Sequence, residues 1–402
     1  MAKADSLSMR RCCVQSGSDS FSLMGPDIRP DTIENGYFVF TIMPTLHCPY
    51  NCKHCYLSKE QRADKSVMSL DDLRVICRKI YDYFEEQQPD QKTIIAYNYG
   101  GEPTAAGPEY FEGYVQVMAE EFPAAEGYQV RHVMLTSMLG VDLDVWEPLW
   151  KKHCNGYVQT SYDGDMRSGN YVRKWELKVR EAIRRGLNVG TISVVNSDLL
   201  DQGPRHTLDK LREMGIQESG WLPFMLNEQN DVPGKYDVLA PTMKGFNDFM
   251  IEMLDYWYEL QERGVNAPAI GEAHFAVEKI KGNAMSNMAG QTLFLLPDGD
   301  MVLPNYRDGW KEYLHSFGNI LEPGVTFRDI LCSRERLLYL RRQMRRNNNP
   351  ECASCEFRNA CLLEFAKPNK PDDECFGAKR FVAHAINRNA MNPRLSGPVQ
   401  LY

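Results

Sequence analysis

Between Gly36 and about Leu226 the chain alternates short apolar runs with longer amphipathic ones, and that rhythm leaves few folds open to it. The short runs are Tyr37 to Met43, Thr93 to Tyr99, Val130 to Thr136, Tyr157 to Tyr162, Val189 to Val195 and Trp221 to Leu226. All are rich in β-branched or aromatic residues and read as strands. Helices lie between them. Leu70 to Gln87 opens with Ser69 and Asp72 in capping-box spacing, and Val172 to Arg185 sets Val172, Trp175, Val179 and Ile183 on one stripe. Repeated strand–helix units with right-handed crossovers make a parallel sheet that curls up. The expected class is α/β, a partial (β/α)6 TIM-like barrel with a smaller C-terminal cysteine-rich domain. In such barrels the chemistry sits in the loops that follow the strands.

The loop after the first strand carries Cys48-x3-Cys52-x2-Cys55. Three thiolates this close can wrap one cubane iron–sulfur cluster and leave its fourth iron without a protein ligand, which makes that iron a place for chemistry. Closely spaced cysteines with nearby histidines also build structural zinc sites. Zinc prefers four closed ligands, whereas here His47 and His54 directly adjoin Cys48 and Cys55, and adjacent residues rarely ligate one ion without strain.

Composition narrows the partners. A formal charge of -8 and a pI near 5.6, with no basic block, disfavour nucleic acid. No apolar run approaches bilayer-spanning length, and Met1 to Gly17 lacks the apolar core of a secretion signal, so a cytoplasmic protein away from membranes is expected. Seven of the twelve cysteines fall at 48 to 55 and 352 to 375, a distribution that metal clusters in a reducing compartment explain better than disulfides. Cys12, Cys13, Cys77, Cys154 and Cys332 read as small buried or incidental thiols, Cys332 being also a spare ligand.

The cysteine spacing resembles the signature of the radical S-adenosylmethionine (SAM) enzymes. The resemblance implies a SAM-binding 4Fe-4S cluster on Cys48, Cys52 and Cys55 that passes one electron into the sulfonium and releases a 5'-deoxyadenosyl radical to abstract hydrogen from a substrate. Gly100-Gly101-Glu102-Pro103, at the end of the second strand, is similar to the family element that holds the methionyl amino group. Tyr56 matches an aromatic that packs near the adenine, although a core tyrosine fits equally. Ser161-Tyr162-Asp163-Gly164 followed by Arg173 resembles the segment that contacts the ribose and carboxylate of S-adenosyl-L-methionine, a role a guanidinium suits; the alternative for Arg173 is a plain helix surface. Gly169 and Ser137-Met138 depart from the family pattern.

Farther on, Cys352-x2-Cys355-x5-Cys361-x13-Cys375, with Gly299 to Pro304 and Phe317 to Ile320 upstream, resembles the SPASM domain, which binds auxiliary clusters. Asn305 stands where a cysteine commonly does, and Leu362 to Lys370 contains none, so the thiolates suffice for one auxiliary 4Fe-4S cluster on Cys352, Cys355, Cys361 and Cys375. A zinc site on the same four is the alternative.

The resulting division is an N-terminal extension over 1–35, the barrel over 36–265 and the auxiliary unit over 266–402. The resemblance implies hydrogen abstraction on a ribosomally made peptide, giving a crosslink, epimer or oxidation, with a small molecule of a natural-product pathway as the second reading. A non-catalytic iron–sulfur or zinc protein is the reading of another class. Only 47 residues precede Cys48, too few for a winged-helix leader-recognition domain, so a peptide needs a separate recognition protein or direct capture. A flavodoxin- or ferredoxin-type reductant is implied. Cys154, Tyr162, Glu218, Glu272 and His274 are candidate acids, bases or hydrogen donors to which sequence assigns no role.

Overall fold

The computed structural model describes residues 37–89, 92–164, 170–224, 234, 236–281, 292–304, 314–344, 350–357, 373–375 and 377–395. The extension 1–35 lies outside them, as do Met225, Leu226 and Asn305.

Six strands follow the predicted order: β1 (Tyr37–Ile42), β2 (Lys92–Asn98), β3 (Tyr128–Met134), β4 (Tyr157–Ser161), β5 (Asn188–Val195) and β6 (Glu218–Pro223). β1, β2 and β3 are parallel in one sheet, with Ile42 opposite Asn98 and Asn98 opposite Met134. β4, β5 and β6 are parallel in another, with Ser161 opposite Ile192 and Val195 opposite Pro223. A bridge between Leu135 and Gln159, and the Thr136 N–H on the Gln159 carbonyl at 3.0 Å, join β3 to β4. The two half-sheets thus run in chain order round a partial barrel.

β6 starts three residues before the predicted Trp221, at Glu218. Its register explains why pattern reading missed this. Glu218 pairs with Gly190, where a Cβ would lie 2.5 Å from the Tyr157 hydroxyl and 3.3 Å from Glu218 Cγ, so the strand opens on residues chosen for space rather than β propensity.

The helices of the barrel are α1 (Lys59–Ala63), α2 (Leu70–Gln87), α3 (Pro108–Glu121), α4 (Leu143–His153), α5 (Tyr171–Arg184), α6 (Ser197–Gln202), α7 (Pro204–Met214) and α8 (Met243–Glu262). α2 begins where Ser69 Oγ accepts the Asp72 N–H at 3.0 Å and donates to Asp72 Oδ2 at 2.7 Å. α5 buries Trp175 and Val179, each worth about 1.5–3 kcal/mol of transfer free energy, and Trp175 Nε1 donates to Thr160 Oγ1 on β4 at 3.0 Å. Period-2 alternation divides the strands. Phe40, Ile42, Ile94 and Ala96 join the large core under the helices, whereas Val39, Ile95, Val133 and Tyr157 form a separate cluster with Tyr97 on the inner face.

Beyond α8 the chain returns to the barrel. The two-residue β7 (Ala269–Ile270) pairs in parallel with β6, and α9 (Gly271–Ile280) packs on it. β8 (Thr292–Leu295) lies parallel to β1, Val39 opposite Thr292 and Ile42 opposite Leu295. A turn over 297–299 then reverses the chain into β9 (Asp300–Pro304), with Gly299 at φ +91°, and β10 (Leu314–Asn319) follows antiparallel. The order is therefore β10-β9-β8-β1-β2-β3. α10 (Phe327–Leu331), α11 (Arg334–Met344) and α12 (Lys379–Met391) complete the described chain. α12 lies on α8 and α9, burying Phe381, Val382 and Ala385, with His384 and Arg388 on Asp255 at 2.9 and 3.1 Å. Among the described residues no helix is long and apolar enough to cross a membrane.

Candidate functional site

Cys48, Cys52 and Cys55 stand half-buried on the loop at the C-terminal end of β1. α1 holds this loop from one side. The Arg62 carbonyl accepts the Cys48 N–H at 3.1 Å and His47 Nδ1–H at 2.8 Å, while Arg62 Nη1 donates to the Tyr50 carbonyl at 2.7 Å and Asn51 Oδ1 at 3.1 Å. The Cys55 N–H turns back onto the Cys52 carbonyl at 3.2 Å.

The Gly-Gly segment after β2 presses on the other side. Gly101 donates its N–H to Thr45 O at 3.3 Å and Glu102 its N–H to His47 O at 2.8 Å. A Cβ on Gly101 would lie 2.3 Å from the carbonyl oxygens of Leu46 and His47, and Gly100 adopts φ +123° with Thr45 O 2.8 Å from its own virtual Cβ. Only glycine permits this approach. Tyr56 stacks on Tyr99 with centroids 5.9 Å apart and donates its hydroxyl to Gly100 O at 3.0 Å.

Glu102 is 4% exposed, and its carboxylate accepts from Thr104 Oγ1 (2.7 Å), the Thr104 N–H (3.3 Å), Thr136 Oγ1 (2.6 Å) and the Ser137 N–H (2.9 Å). It therefore ties the end of β2 to the end of β3. Pro103 is buried at the start of the short turn that follows.

Burial, with the nearby charges of Glu102, Cys52 and Cys55 adding to it, pushes the Cys48 thiol up to about 12. Unligated, it keeps its proton at neutral pH, so a cationic iron centre must displace protons to bind. Among the described residues no group of three or more Cys, His, Asp or Glu side chains is gathered tightly enough for a single metal ion. A cubane spreads its ligands over separate irons and does not require such a gathering.

The second half-sheet supplies the opposite wall. The Ser161 carbonyl accepts the Tyr171 hydroxyl at 2.8 Å. Arg173 is exposed on the first turn of α5, beyond the undescribed residues 165–169. Inside the barrel, Tyr97 donates to Gln159 Oε1, Gln159 Nε2 donates to the Tyr157 hydroxyl at 2.9 Å, and Tyr157 donates to Glu218 Oε1 at 2.5 Å. Burial and then the Glu218 charge drive the Tyr157 phenol far above its ordinary range.

The other candidate acids and donors sort by position. Cys154 caps α4 just before β4, at the barrel end opposite the cysteine loop, and Tyr162 is buried against Trp175 at 5.1 Å. Glu272 is 7% exposed on α9, and burial raises its carboxyl to about 8 with Oε2 left unpartnered. His274, also buried, has neither ring nitrogen hydrogen-bonded, and burial lowers its pKa.

Cys352 and Cys355 form a knuckle, with the Cys355 N–H on the Cys352 carbonyl at 3.4 Å. Burial raises the Cys375 thiol, and the Lys379 and Gly377 N–H groups oppose this. Asp373 fixes this segment to the barrel by accepting the Met243 and Lys244 N–H groups at 2.8 and 3.1 Å, at the N-terminus of α8. Cys361 lies outside the described residues, and Cys332 is half-buried at the end of α10.

Sequence reading missed one contact of this site. His54, between Cys52 and Cys55, places Nε2 3.4 Å from Asp163 Oδ2. Both residues stood inside motifs already singled out; their pairing across the barrel is what one dimension conceals.

No family model matches this chain, and no curated protein does. Solved structures do resemble it. anSMEcpe with bound AdoMet has a TM-score of 0.66 at 19% identity, covering 88% of this chain and 98% of that one. The same protein with AdoMet and Cp18Cys peptide gives 0.67 at 18%, over the same shares. Streptococcus suis SuiB bound to S-adenosylmethionine gives 0.55 at 15%, over 83% and 77%, and SuiB bound to precursor peptide SuiA gives 0.55 at 15%, over 82% and 72%. With six parallel strands in chain order and a cysteine loop at the mouth, the chain has the radical SAM fold.

Proposed function

We propose that this chain is a radical SAM enzyme acting on a ribosomally synthesised peptide. The observation that carries the reading is the seating of the three-cysteine loop directly against Gly100 and Gly101 at the barrel mouth. What a cubane on Cys48, Cys52 and Cys55 supplies, when bound, is the electron that splits AdoMet into methionine and a 5'-deoxyadenosyl radical.

The chain's own residues do the rest. Arg62 and the glycines fix the loop, and Glu102 locks the two strand ends behind it. Tyr56 and Tyr99 offer apolar faces that keep water from the mouth. Exposed Arg173 would meet a carboxylate of AdoMet, and the Ser161 to Gly164 turn would contact its ribose. Cys352, Cys355, Cys361 and Cys375 hold the auxiliary cluster, with 266–402 as its unit. A flavodoxin- or ferredoxin-type protein is the electron source. Peptide as substrate is supported by two resembling proteins seen with peptides.

Anaerobic reconstitution followed by metal analysis tests this. About eight irons per chain and 5'-deoxyadenosine on adding AdoMet and dithionite are expected, since two cubanes carry four irons each. Zinc without nucleoside, or nucleoside release that survives Cys48→Ala, overturns it.

A further inference from the structure

His54 is fixed from more than one strand. Its side chain is 13% exposed, its Nε2 is 3.4 Å from Asp163 Oδ2, and its ring meets Phe224, just past β6, edge-on at 6.4 Å. Asp163 is 1% exposed and held in its turn. Its Oδ1 accepts the Val194 N–H at 2.6 Å, and its carbonyl accepts Asn196 Nδ2 at 3.1 Å. Asn196 in turn caps α6 through Oδ1, accepting the Asp198 and Leu199 N–H groups at 3.0 and 3.2 Å. Gly164 closes the turn at φ +59°, where a Cβ would fall 1.9 Å from Asp198 Oδ2.

Arg62, Thr45, Gly101 and Glu102 tie the cysteine loop to the β1–β2 side, and Tyr50 reaches Ser137 just past β3. The His54 contact instead reaches the ends of β4, β5 and β6. The half-sheets meet through the Leu135–Gln159 bridge and the Tyr97–Gln159 hydrogen bond, and the His54–Asp163 contact is a further tie between them, at the mouth.

We propose that His54 and Asp163 are positioning residues, a brace across the barrel mouth that fixes Cys55 and sets the width of the AdoMet seat. The role of the seat rests on the function proposed above; the brace itself does not need a cluster.

The experiment uses full-length protein with His54→Phe, which keeps a ring against Phe224, Asp163→Asn, which keeps an acceptor for Val194, and the double variant. In cluster-free protein, alkylation of Cys55 by N-ethylmaleimide is followed by peptide mass spectrometry. Each single variant is expected to react about tenfold faster, the double no faster than the faster single, because the two act through one contact. His54→Gln, whose amide can still donate to Asp163, is expected to restore most of the protection. In reconstituted protein the AdoMet dissociation constant rises about tenfold while iron content is unchanged. Wild-type alkylation rates in both singles, or additive effects in the double, overturn the brace. Wild-type protein that takes up neither iron nor AdoMet overturns the proposed function, and the alkylation series still decides the brace.

Discussion

Replacing Gly101 by alanine introduces one methyl group at the tightest point of the site. The new Cβ would sit 2.3 Å from two carbonyl oxygens, Leu46 O and His47 O, when ordinary contact begins near 3.4 Å. The two backbones must therefore part by about 1 Å. They cannot do so freely, because His47 O is also the acceptor of the Glu102 N–H at 2.8 Å and Thr45 O that of Gly101 at 3.3 Å. Overpacking of this kind costs about 1–3 kcal/mol, and weakening the two hydrogen bonds adds about 1 kcal/mol. Gly101 is not in the left-handed region, so the effect is steric and local to the loop that carries Cys48. The matched control is Gly264→Ala, at φ +69° with nothing within 4 Å, which costs about 1 kcal/mol through backbone strain alone. Calorimetry and iron analysis after reconstitution read the outcome. Gly101→Ala should lose at least half of the N-terminal site's iron, and Gly264→Ala none, even where both lower the melting temperature. Full iron loading in Gly101→Ala would refute the claim that this contact shapes the metal loop.

Glu102→Gln replaces an acceptor that faces four donors with a group carrying two hydrogens, so denaturant unfolding should show a loss of about 1–3 kcal/mol together with weaker AdoMet binding. Glu272, raised to about 8 from an ordinary 4.5 by burial, binds its proton more tightly folded than unfolded. Its contribution to stability is whole below pH 4.5 and declines as pH rises toward 8, so Glu272→Gln should be more stable than wild type at pH 8 and should flatten the slope between those values. An equal change in urea-unfolding free energy between pH 5 and pH 8 for wild type and Glu272→Gln would contradict this. Cys352→Ser should halve the iron content yet retain 5'-deoxyadenosine release without substrate; loss of both would place the two metal sites in one cooperative unit. Tyr56→Phe removes the hydroxyl from Gly100 O and should weaken AdoMet binding about three- to tenfold by equilibrium dialysis.

Local rules carried the sequence reading far. Hydrophobic alternation located β1 to β5 to within two residues, and Ser69 marked the start of α2. The reading failed where tertiary context overrode propensity. Glu218, Ser219 and Gly220 become a strand because β5 offers Gly190 opposite, and the two residues of β7 are too few to register as periodic. β8 was not legible as the partner of β1, since pairing across some 250 residues leaves no local mark. At the site, cysteine spacing and the Gly-Gly pair were visible because close approach demands particular residue types. The His54–Asp163 contact was not, because both residues are ordinary until the barrel curls.

The pairing of β8 with β1 bears on biogenesis. A nascent chain that has emerged only as far as α9 leaves β1 with β2 on one side and an open row of amides and carbonyls on the other. The strand beneath the three-cysteine loop is flanked on both sides only after residues 292–295 have left the ribosome. A cluster of the kind proposed would therefore be best inserted after translation ends, and a truncated product, however intact its cysteines, would present that loop on an unguarded margin prone to self-association.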